Sequence, residues 1–158
     1  MLSTSKSPMS RLLSIVCSLA IALSIGFYST PAWAATGLID GHLAPCPSSP
    51  NCVISQDGDE EHSLEPIAYQ GDRATAKETL LKVLSVVPRT EIVEQTDDYI
   101  HTESTSRIFK FVDDAEFYFP EAESVIQVRS ASRVGESDLG VNRRRIEQIR
   151  LAMEDLGV

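Results

Sequence analysis

Four stretches with strand character follow one another between Thr90 and Ser132, separated only by short turns, and this run most restricts the fold. TEIVEQT is followed by Asp97-Asp98 as a turn, and YIHTESTSRIFKFV alternates through Tyr99, His101, Glu103 and Thr105. A second acidic pair, Asp113-Asp114, reads as another turn because Asp is a common turn residue. AEFYFP sets Ala115, Phe117 and Phe119 on one side, and VIQVRSAS forms the last stretch. Strands in direct succession imply an antiparallel meander. On the N-terminal side, Asp72 is a candidate N-cap for a helix with Ala76, Leu80, Val83, Leu84 and Val87 at helical spacing, stopped by Pro88. On the C-terminal side, Ile146, Ile149, Met153 and Leu156 mark the buried face of a terminal helix, with Asn142 as its expected N-cap. The expected fold is a single α+β domain, an antiparallel sheet of about four strands with both helices on one face.

The first 34 residues read as a leader. Lys6 and Arg11 precede an apolar run from Leu12 to Tyr28, then STPAWAA, with Ala32 and Ala34 as the small residues of a cleavage site. A retained anchor is the alternative, but a run of 17 residues containing Ser14, Ser18 and Ser24 falls short of the roughly 20 that span a bilayer. The sequence thus divides into a signal peptide (1–34), an extended cysteine segment with an acidic linker (35–71) and the domain body (72–158), with no stable membrane span after cleavage. Loss of Lys6 and Arg11 leaves 12 basic residues against 23 acidic ones, a net charge of −11. Such a surface repels nucleic acid and anionic lipid over most of its area.

Export bears on Cys46 and Cys52, the two cysteines that follow the leader, both within CPSSPNCVISQ. An oxidising compartment favours a disulfide between them, and closing a seven-residue loop contributes roughly 2 to 2.5 kcal/mol through the unfolded chain. Two other readings are weaker. Five residues separate the cysteines, unlike a redox pair, and nothing marks a low-pKa thiolate. His42 and His62 flank them, yet H-x3-C-x5-C-x9-H matches no usual structural zinc spacing. No cofactor is called for.

Charge departs from the rest of the chain in RSASRVGESDLGVNRRRIE. Arg129, Arg133, Arg143, Arg144, Arg145 and Arg150 are half of the 12 basic residues, against Glu136, Asp138 and Glu147. Arg143, Arg144 and Arg145 fall in the first turn of the terminal helix, where the macrodipole disfavours cations by a few tenths of a kcal/mol each. A compensating anion is required. It is either a bound carboxylate or phosphate, with Arg129, Arg133, Asp138, Asn142 and Arg143 to Arg145 as the site, or the protein's own acids in a salt-bridge network.

CPSSPNCVISQ, SRIFKFVDDAEFYF and RSASRVGESDLGVNRRRIE together resemble an uncharacterised family, the domain of unknown function numbered fourteen ninety-nine, over about Leu43 to Met153. The resemblance implies an exported or membrane-associated protein of bacterial or photosynthetic lineages and brings no catalytic mechanism with it. The leader is similar to those of cyanobacterial exported proteins, which makes the periplasm or thylakoid lumen the expected address.

The histidines His42, His62 and His101 stand in no recognisable nucleophile-base arrangement. The sequence therefore leans toward a non-catalytic accessory domain that docks a protein partner through its arginines and stapled loop. The alternative is a small-anion binder or enzyme using the same arginines.

Overall fold

The computed structural model describes residues 35–158; the leader expected over residues 1–34 lies outside them. Two short strands, β1 (Leu38–Ile39) and β2 (His42–Leu43), form a hairpin, and β3 (Cys52–Ile54) and β4 (Ile67–Ala68) follow. Helix α1 (Arg73–Val86) leads into β5 (Thr90–Gln95), β6 (Tyr99–Thr105), β7 (Val112–Tyr118) and β8 (Val125–Ser132), and α2 (Val141–Asp155) closes the chain. The main sheet runs β3-β8-β7-β6-β5 with every pair antiparallel, and β4 pairs with the first half of β8.

The meander and its two helices follow the sequence, and the sheet has six strands rather than about four. Cys52, Val53 and Ile54 pair with Ala131, Ser130 and Arg129. The cysteine segment is thus part of the sheet. Strands of two or three residues show too little alternation to be read locally; β8 imposes the pairing of β3 and β4 from more than fifty residues away.

Period-two alternation sorts the sheet residues onto two faces. Ile100, Phe117, Ile126, Val128 and Val53 face the helices and pack with Ala76, Leu80, Leu84, Ile146, Ile149 and Met153 in one buried cluster. Helix α1 begins as expected, with Asp72 accepting from the Thr75 N–H at 2.9 Å. Leu156 differs from expectation: it lies just past the end of α2 and is exposed.

The opposite face of the sheet carries Tyr99, His101, Glu103, Asp114, Glu116 and Arg129. A strap made of the β1–β2 hairpin and the residues up to Cys46 lies over part of it. Leu43, Ile54 and Tyr99 form a second small core there, with Leu38, Cys46 and Tyr118 against it.

Tyr99–Val112 is not one strand. The chain reverses through Ser106–Phe111, and β7 starts at Val112, so Asp113 and Asp114 lie inside a strand rather than in a turn. Ser106 N–H donates to the Phe111 carbonyl and the Phe111 N–H to Ser106 Oγ, both at 2.8 Å, while Lys110 adopts φ 59°. A left-handed residue and a hydroxyl cap close this turn without a glycine.

Candidate functional site

Two polar clusters flank the sheet, and of their members Asp113, Asp114, Arg133 and Arg145 lie near the end where β6 turns into β7. On the strap face, Glu116 is fully buried and accepts from Arg129 Nη1 (2.8 Å), Tyr99 Oη (2.7 Å) and the Gly37 N–H (2.6 Å). Burial, then the Glu116 charge and its hydrogen bond, push the Tyr99 phenol far above its usual range. Arg129 is 1% exposed, and its Nε and Nη2 have no partner among the described residues.

One rung along, Asp114 accepts from His101 Nε2 at 2.7 Å and from Arg133 through both Nε and Nη2 at 2.8 Å. Arg133 also pairs with Glu103. Burial acts to raise the Asp114 carboxyl, but the hydrogen bonds from His101 and Arg133 and the Arg133 charge outweigh it and hold the carboxyl at about 2.

The helix face carries the second cluster. Asn142 has no exposed surface; its Oδ1 accepts from Ser130 Oγ and Arg145 Nη1, and its Nδ2 donates to the Asn51 carbonyl and Ser132 Oγ. Arg145 Nη2 reaches Asp113 at 2.6 Å. Asn142 is therefore not the helix cap. Gly140 holds that position at φ 75°, and Asp138 accepts from the N–H groups of Gly140 and Asn142. A buried amide that meets all four of its hydrogen-bonding needs fixes where α2 and the cysteine loop meet β8.

The remaining expected site residues are also engaged within the chain. Arg143 donates to the carbonyls of Ser63 and Glu61, and Arg144 to that of Leu139. The charge at the start of α2 is thus met by Asp138, Asp113 and backbone carbonyls. The structure brings Asn142 and Arg145 into one cluster with Asp113 and places Arg129 and Arg133 across the sheet from them. Cys46 and Cys52 form a disulfide, S–S 2.03 Å, so neither is a thiolate ligand for zinc. Among the described residues no three metal-ligating side chains converge.

The same end of the sheet exposes what the interior would hide. Arg107, Ile108, Phe109, Lys110 and Phe111 form the tip of the β6–β7 hairpin, with Ile108 78% and Phe109 73% exposed. The Phe109 and Phe111 rings stack, centroids 5.5 Å apart. Leu139, 84% exposed, and Val134 stand in the β8–α2 loop, which Arg133 ties to the base of the hairpin by donating its N–H to the Val112 carbonyl. Beside the hairpin a groove of about 420 Å³ runs between the end of α1 and the start of α2, with Arg89, Arg107 and Arg145 on its walls. Sequence reasoning missed this tip by reading it as strand. The signal was present, since RIFKFV puts apolar residues at both parities and leaves no polar face.

The sequence matches the family described as "Protein of unknown function (DUF1499)" over residues 42–153, from the start of β2 to within two residues of the end of α2. The chain belongs to that family. The DUF1499 region thus contains the stapled loop, the exposed hairpin and, apart from Gly37, both polar clusters. Among curated proteins no match is found. Among the described residues of this DUF1499 member, no helix is long and apolar enough to cross a membrane.

Proposed function

We propose that this protein is an exported, non-catalytic docking domain of the periplasm or thylakoid lumen, and that it attaches to a protein of a membrane complex through the hairpin end of its sheet. The observation that carries the proposal is the gathering there of exposed Ile108, Phe109, Phe111, Val134 and Leu139. Contiguous exposed apolar surface marks interaction sites. The leader motif and the Cys46–Cys52 disulfide support export.

A docking role is favoured over catalysis because the candidate acids and bases serve each other. His101 is paired to Asp114, Asp113 to Arg145 and Ser132, and Glu116 to Arg129 and Tyr99. A general base must reach a substrate proton, and these carboxylates are buried beneath their partners. The arginines then serve to shape the docking end rather than to bind an anion. A photo-crosslinker at Leu139 in living cells tests the proposal, with one at Asp97, on the β5–β6 turn at the far end of the sheet, as control. A discrete protein adduct from the membrane fraction at Leu139 and none at Asp97 is expected; equal labelling from both positions, or none from either, overturns it.

A further inference from the structure

The β6–β7 hairpin carries a combination found nowhere else on the described surface: two stacked phenylalanines and an isoleucine, all more than half exposed, interleaved with two cations. We infer that this tip inserts its apolar side chains into the headgroup region of an anionic lipid bilayer, with Arg107 and Lys110 against the lipid phosphates. The inference deepens the docking reading, from which it takes only the choice of the sheet end that faces outward.

Shape assigns the tip itself to lipid and leaves Val134, Leu139 and the neighbouring groove at the same end to the protein partner. A stable protein interface covers about 800 Å² on each partner. One turn of six residues, at the end of two central strands flanked by β5 and β8, offers far less. A bilayer needs no complementary pocket, and aromatic and apolar side chains partition into its interfacial zone whatever the outline of the turn.

The charge pattern agrees. At −11 after loss of the leader, the domain is repelled by anionic lipid over most of its surface. Among the described residues Arg107 and Lys110 are exposed and make no ion pair, whereas Asp113 and Asp114, next along β7, are buried and neutralised by Arg145 and Arg133. The tip is therefore locally cationic on an acidic body, which lets it approach anionic lipid and turns the acidic remainder away. Each exposed cation near such a surface strengthens binding about five-fold. Glu136 stands in the neighbouring loop and opposes this, while the Asp138 carboxylate is engaged by the Gly140 and Asn142 N–H groups.

The backbone also suits insertion. The turn is closed internally by Ser106, and Arg89 braces its base, accepting the Thr105 N–H and donating Nε to the Thr105 carbonyl. An inserted turn must satisfy its own polar groups away from water, and this one meets part of that need before any contact.

Trp33 is the only tryptophan of the sequence and belongs to the leader, so Phe109→Trp gives the processed protein a single tryptophan, at the tip, that can be excited apart from its tyrosines. The exported protein is purified with its disulfide intact, and its mass is checked for loss of residues 1–34. It is then mixed with vesicles of phosphatidylcholine alone or with about one third phosphatidylglycerol. Emission should shift to the blue and be quenched by brominated acyl chains on the anionic vesicles, while Leu151→Trp, on exposed α2, stays unchanged. Phe109→Ser with Phe111→Ser should weaken flotation with these vesicles about ten-fold or more. Arg107→Glu with Lys110→Glu should abolish the preference for anionic lipid. These positions are exposed, so folding is preserved, and circular dichroism verifies it. Unchanged emission on both vesicle types, or flotation indifferent to both double variants, overturns the inference. If that happens while the Leu139 crosslink persists, the docking reading stands alone; a lipid response without a crosslink leaves the lipid contact and removes the protein partner.

Discussion

Arg129 and Glu116 face each other across β8 and β7 at 2.8 Å, with side chains 1% and 0% exposed. The pair lies beneath the N-terminal strap, and Glu116 also takes the Gly37 N–H and the Tyr99 hydroxyl. Removing one partner leaves the other charge buried and uncompensated, which costs about 3 to 5 kcal/mol. Glu116→Leu alone is expected to fall in that range by urea denaturation. Glu116→Leu with Arg129→Met should recover much of the loss, because the double variant leaves no isolated charge. Equal losses in both would mean that the hydrogen bonds to Gly37 and Tyr99, rather than the ion pair, hold the strap.

The disulfide anchors the strap to β3. Cys46→Ser with Cys52→Ser should lower stability by roughly 2 to 2.5 kcal/mol through loop entropy. Limited proteolysis should then cut first within residues 44–51. Unchanged protease resistance would show that Leu43 packing and the Gly37 contact suffice to hold this segment.

Asp114 makes the fold sensitive to strong acid. Its carboxyl is held at about 2, below its value of 3.8 in an unfolded chain. A group depressed on folding stabilises above its unfolded value and loses that contribution as pH falls toward its folded one, here between about 4 and 2. The contribution is roughly 2 kcal/mol. Asp114→Asn should flatten the acid limb of the stability curve, and an unaltered limb would assign acid lability to other carboxylates.

His62 acts in the opposite direction. Its ring nitrogens lie 2.6 Å from Asp59 Oδ1 and 3.1 Å from the Ser49 carbonyl, both acceptors, so the protonated ring satisfies both contacts. Burial lowers its tendency to hold a proton, but the Asp59 hydrogen bond, the Ser49 carbonyl and the Asp59 charge together raise it above 6.5. The stabilisation is complete below 6.5 and is lost as pH rises through the raised value. Protection of the cysteine-loop amides, taken relative to the intrinsic exchange rate at each pH, should fall over that interval, and His62→Gln should remove that fall. Constant protection across it would show that His62 does not hold the loop.

The sequence by itself determined the meander, both helices and the buried faces of Leu80, Val83, Leu84, Ile146, Ile149 and Met153, because helical and strand periodicities are local properties of the chain. It also singled out the cysteine pair, since two thiols six positions apart among prolines have few other uses in an oxidising compartment. Asp113 and Asp114 were legible only as turn residues, and their place inside β7 follows from the hairpin closing earlier, at Ser106–Phe111. Only the tertiary structure decided what the arginines do. A guanidinium looks the same in sequence whether it meets a ligand or a carboxylate of its own chain, and its partners Glu116, Asp114 and Asp113 lie 13, 19 and 32 positions from Arg129, Arg133 and Arg145. Register across β7 and β8 brings the first two pairs together, and the packing of α2 on the sheet brings the third. With those cations engaged inside, RIFKF is left as the exposed apolar and cationic tip, and its exposure is a property of the folded chain alone.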